Sequence, residues 1–156
     1  MLGASKTQAI VDKKVDLIRH LITLSPLTSF LKVNGFYSSF ISDTSFQRLF
    51  HFEDLSMRQK ICSYIIPLTI ELKTTLIDIL NLEKDRLISD MTHFCIEDKS
   101  DLLAISYDTM EIIQIKKSVF SGLDDLVGKQ FSELEIGLFD KVDDDGFFKD
   151  IKLTSA

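Results

Sequence analysis

Along "AIVDKKVDLIRHLI", apolar side chains return at Val11, Val15, Ile18 and Ile22, the i, i+4, i+7, i+11 spacing that places them on one face of a helix. The same period recurs in later segments and constrains the fold more than any other feature of the chain. The run closes at "LSP", where Pro26 suits the first position of a second helix because its missing amide hydrogen would have no partner there. That helix is predicted over residues 26–42. It is dense in Leu27, Phe30, Leu31, Val33, Phe36, Tyr37 and Phe40, and Gly35 allows a close backbone approach.

A short helical connector is expected at 43–50, with Asp43 or Thr44 accepting an amide hydrogen bond as its cap. Met57, Ile61, Ile65, Leu68 and Leu72 then line one side of a helix from Asp54, kinked at Pro67, which removes a backbone donor. Shorter pieces over 74–80 and 83–95 are separated at Asn81. Leu103, Tyr107, Met110 and Ile113 begin a helix over 100–119, broken at Gly122, and Val127, Phe131, Leu134 and Leu138 mark a last one over 123–141. No strand alternation persists. The expectation is an all-α domain of seven to eight helices spanning residues 1–156, with 143–156 as an exit segment.

At 156 residues and 45% hydrophobic content, the chain suits one domain with a sizeable core. Its 18 basic residues face 24 acidic ones with no basic cluster, so nucleic acid is not an expected partner. The run "ICSYIIPLTIEL" is shorter than the roughly 20 residues a membrane helix needs, and the N-terminus lacks the apolar core of a signal peptide. No membrane association is expected. Cys62 and Cys95 sit in apolar runs without CxxC spacing, which suits a reducing compartment and a cytoplasmic protein.

His93, in "LISDMTHFCIEDKSDLL", is the residue with the most specific chemical potential. A lone histidine on an apolar face packs more often than it ligates. Three features accompany it in order along the chain: the Phe36-Tyr37 pair, Phe50, and Gln59. "NGFYSSFISDTSFQRLFHFEDLSMRQKI" and "DRLISDMTHFC" in this order resemble the distal and proximal halves of a globin, and "LVGKQFSELEIGLFDKV" is similar to the final helix of globin-coupled sensors. The likeness covers nearly the whole chain, and it extends to single-domain bacterial haemoglobins and flavohaemoglobins.

That resemblance implies a globin-like fold around haem b, with His93 binding the iron, and Tyr37 and Gln59 hydrogen-bonding a diatomic gas (oxygen, NO or CO). Phe50, Ile61, Cys62, Ile96 and Leu103 would contact the cofactor. It further implies a gas sensor that signals through a homodimer of its last two helices to an output domain such as a diguanylate cyclase, with no catalysis in this chain. A free-standing haemoglobin for oxygen or NO, and a haem-free interaction module, are the alternatives. The sequence departs from the family where Phe94, Cys95 and Ile96 replace the glycine-aliphatic pair after the histidine, and where Ser89 stands one turn before it.

Other readings of the same residues stay open. Phe36, Tyr37 and Phe50 suit core aromatics equally well, and His20 and His51 suit polar edges, with His51 the next candidate ligand. "DKVDDDGFFKDIK" matches some steps of a calcium loop, yet Lys141 and Lys152 stand at its first and last ligand positions, where carboxylates are required.

Overall fold

In the computed structural model, the described residues are 2–36, 51–56, 61–82, 91–120 and 122–143. They form helix α1 (Leu2–Leu24), strands β1 (Phe30–Phe36), β2 (His51–Ser56) and β3 (Ile61–Pro67), and helix α2 (Ile70–Leu82). Strands β4 (His93–Asp98), β5 (Asp101–Tyr107) and β6 (Ile112–Lys116) follow, then helix α3 (Leu123–Lys129) and strand β7 (Ile136–Phe139). The strands make one sheet in the order β2-β3-β1-β4-β5-β6-β7. Every neighbouring pair is antiparallel except β6 and β7, which are parallel across α3.

The expected all-α, globin-like fold is therefore corrected to a mixed α/β fold. The first helix stands as read, and α2 contains the piece expected at 74–80. The helix expected over 26–42 instead includes β1, the kinked helix from Asp54 becomes parts of β2 and β3 followed by the start of α2, and 100–119 is a two-stranded hairpin. The helix expected over 123–141 stops at Lys129 and gives way to β7, so the pair of final helices meant for a dimer contact is replaced by strands and the short α3. The connector at 43–50 and residues 144–156 lie outside the described residues.

The strands form because these runs are short, rich in β-branched and aromatic residues, and bounded by polar turns. Between β4 and β5 the loop is two residues long: Lys99 and Ser100 have φ of 50° and 69°, the left-handed pair that a tight hairpin needs to match strand twist. Gly122, at φ 94°, turns the chain into α3, a backbone state that glycine adopts without the Cβ penalty.

One sheet face carries Leu31, Val33, Ile66, Phe94, Ile96, Ala104, Ile113 and Ile115, which pack into a single cluster with Leu17, Ile18, Leu21 and Ile22 of α1, Leu76 and Leu80 of α2, and Phe120, Leu123 and Phe131. Ser25 ends α1, its amide and hydroxyl both donating to the Leu21 carbonyl. Lys73 of α2 reaches back to donate to the carbonyls of Thr23 and Ser25, satisfying acceptors that the helix end leaves open. Arg19 joins the two helices through the Asn81 side-chain oxygen at 2.6 Å, so Asn81 ties α2 down where a chain break was expected.

The opposite sheet face holds a second cluster of Ile65, Cys95 and Ile105, which Val142 joins. Lys32 and Glu97 form an ion pair at 3.1 Å beside it. No described helix is long and apolar enough to cross a membrane.

Phe94 lies on the central strand of the seven and is among the largest fully buried side chains. Phe94→Ala should destabilise the fold by about 3–5 kcal/mol through lost burial and the cavity left behind, read as a lower urea midpoint with an unchanged slope.

Candidate functional site

The chain between β5 and β6 reverses through Asp108, Thr109 and Met110, all left-handed, with φ of 53°, 54° and 66°. Each such non-glycine residue costs about 1–2 kcal/mol against Cβ crowding, and for a β-branched threonine the state is rare. Surrounding contacts hold the turn in place. The Glu111 amide donates to the carbonyls of Tyr107 and Asp108, and the Thr109 amide donates to the Thr92 carbonyl at 2.8 Å. Lys14 of α1 donates its ammonium to the Thr109 carbonyl at 2.8 Å, with the Glu111 carboxylate 3.8 Å away. Met110 is buried beneath.

Lys14 is 9% exposed, a depth at which an ammonium must be hydrogen-bonded to avoid a large desolvation cost. It lies one turn along α1 from Ile10, so the helix aligns the two toward the turn. Together with Met110 and with the 132–135 segment that leads into β7, they border a cleft of about 450 Å³. Ile10, Met110 and Leu134 give it an apolar lining, and Glu111, Glu133 and Glu135 contribute three carboxylates. Lys13 holds Glu133 from outside at 2.9 Å. The cleft can take an apolar group beside a positive charge.

His93 braces the same turn from β4. Its Nδ1 accepts the Asp108 amide hydrogen at 3.1 Å, and its ring stands edge-on to Tyr107 with centroids 5.8 Å apart. Burial pushes its pKa down from the ordinary value, and the nearby Asp108 carboxylate opposes that shift more weakly.

These positions do not fit the haem arrangement. With Nδ1 accepting an amide hydrogen, a neutral His93 carries its own proton on Nε2 and has no lone pair left for iron. Ile96 and Leu103 belong to the cluster on the helix-covered face, whereas His93 alternates with Phe94 and shares the side of Cys95. The sheet thus stands between the expected ligand and two of its expected cofactor contacts. Ile61 and Cys62 open β3. Tyr37, Phe50 and Gln59 lie outside the described residues. His20 packs edge-on to Phe131 at 6.0 Å, and His51 starts β2. Among the described residues no group of three or more His, Cys, Asp or Glu side chains could hold a metal ion.

The left-handed turn and Lys14 were missed in the sequence. "SYDTMEI", a polar interruption between two apolar β-branched runs, is the signal that points to a turn there.

Thr109→Gly should relieve the left-handed β-branched residue and raise stability by about 1 kcal/mol, measured as a higher urea midpoint. Because folding depresses the His93 pKa, the unfolded chain binds more protons just below pH 6.5, and stability falls on acidification through that range toward the folded pKa. His93→Asn keeps an acceptor for the Asp108 amide but does not titrate. Thermal midpoints from pH 8 to pH 5 should show a shallower acid decline in this variant than in the parent.

No protein-family model, curated protein or solved structure matches this chain.

Proposed function

We propose that this chain is a binding module without catalysis of its own, and that the cleft beside the β5–β6 turn receives a peptide segment pairing an apolar side chain with a lysine or arginine. The observation that carries this reading is the composition of the cleft wall: Glu111, Glu133 and Glu135 stand around an apolar lining of Ile10, Met110 and Leu134. Its own cations are already engaged, Lys14 on the Thr109 carbonyl and Lys13 on Glu133. Glu133 already holds Lys13 at 2.9 Å, whereas Glu111, with 71% of its side chain exposed and 3.8 Å from the Lys14 ammonium, can turn toward a ligand. The excess of 24 acidic over 18 basic residues favours approach of a basic partner at long range.

An apolar anchor in the lining would supply affinity, and the carboxylates would select its charged neighbour. Placement in the cytoplasm belongs to the same proposal and is supported by Cys95, a buried thiol in no disulfide. Interaction without haem agrees with an imidazole that uses Nδ1 to hold a turn.

The test is fluorescence titration with short Leu-Lys and Leu-Glu peptides. The basic peptides should bind more tightly, and Glu111→Gln with Glu133→Gln should reduce that preference about tenfold while leaving the far-ultraviolet spectrum unchanged. Equal binding of both peptide classes, or none of either, would remove this reading.

A further inference from the structure

We infer that His93 is a pH-operated brace for the cleft wall: neutral, it holds the β5–β6 turn in the shape that presents Met110 and Glu111, and protonated, it lets that turn go. The inference deepens the reading of the cleft as a binding site, and rests on that reading where ligand affinity is concerned. The imidazole reaches the turn from the sheet face away from the helices, whereas Lys14 of α1 reaches it from the helix-covered side. The two side chains hold successive residues of the turn from opposite directions.

The contact at Nδ1 works in one protonation state only. There the ring nitrogen accepts the Asp108 amide hydrogen at 3.1 Å, which uses its lone pair. In the imidazolium both ring nitrogens carry hydrogen and can only donate, so two N–H groups would point at each other and the ring must turn away. The exposed Asp108 carboxylate, which acts on the imidazole as a charge, is the acceptor that would draw it. Among the described residues, the other polar and charged groups around the ring are Tyr107, edge-on from β5, and Asn34, opposite it in register on β1. Lys32, two residues along β1, pairs with Glu97 at 3.1 Å.

Release of the amide reaches the cleft because the turn is strained. Asp108, Thr109 and Met110 are all left-handed, a state that surrounding bonds must maintain. The Thr109 amide on the Thr92 carbonyl and the Glu111 amide on the Tyr107 and Asp108 carbonyls are main-chain ties that do not titrate. The His93 tie does, near neutrality. Its loss frees the first left-handed residue; the next supplies the carbonyl that Lys14 needs, and Met110 and Glu111 after it line the cleft. Burial lowers the His93 pKa from its ordinary 6.5, so the neutral brace persists at neutral pH and is lost as pH falls below that value through the folded pKa.

Hydrogen exchange of the Asp108, Thr109 and Glu111 amides, followed by NMR from pH 8 to pH 5 and corrected for the intrinsic rate, tests the brace. Titration with the Leu-Lys peptides over the same range tests its hold on the cleft, with circular dichroism checking each variant's fold. On acidification of the parent, protection and peptide affinity should each fall about fivefold, the size of one hydrogen bond. His93→Asn, whose side-chain oxygen accepts the amide without titrating, should keep both, and His93→Ala should show the reduced values throughout. Protection that is constant with pH in the parent, or that falls as much in His93→Asn, overturns the inference. So does peptide affinity that stays constant while protection falls. Absence of peptide binding at every pH defeats the cleft reading alone, because exchange still decides whether His93 releases the turn.

Discussion

Leu17, Ile18, Leu21 and Ile22 of α1 lose nearly all contact with water against Leu31, Val33, Phe94, Ile96 and Ile115 of the sheet. Full burial of such side chains contributes about 1.5–3 kcal/mol each. The helix cannot keep that stripe in water, and the central strands cannot keep theirs. Their union fixes which sheet face is covered, and α2 and the α3 region then extend the same cluster. Polar contacts add direction: Arg19 to Asn81 and Lys73 to the end of α1 set how the two helices lie together.

Seating α1 on the sheet also brings Lys14 under the β5–β6 turn. An ammonium at that depth needs an acceptor, and the Thr109 carbonyl is oriented to serve because three successive residues adopt the left-handed state. The hydrogen bond between them thus offsets part of both costs, the strain of the turn and the desolvation of the lysine. His93 and the Thr92 carbonyl hold the turn from the β4 side. The cleft is a product of this arrangement, since Met110 is buried beneath the turn while Glu111 stays at its rim.

At the far end of the sheet a different constraint applies. The crossover that a parallel pair requires is made here by α3, and it deposits β7 with one side bonded to β6. A four-residue strand with glycine at its second position is a weak edge by itself. Phe139 covers that glycine, and the charges flanking the strand differ in sign, Glu135 before it and Lys141 after.

The stripe Val11, Val15, Ile18, Ile22 was legible because α1 is buried on one side only, so its period survives in the sequence. The strands were not. β1, β4 and β5 carry buried residues on both faces, and "DLLAISY" fits a helical period as readily as a strand. Their hairpin was hidden too, because its left-handed pair is Lys99 and Ser100 rather than asparagine and glycine. His93 was singled out by type, but its role could not be read locally, since the Asp108 amide it binds lies fifteen residues away across a strand pair. The sequence by itself determined one amphipathic helix and an excess of acidic over basic residues. Only the tertiary structure decided the sheet, the cleft and the state of the imidazole, because each depends on contacts between residues far apart along the chain, where local spacing carries no information.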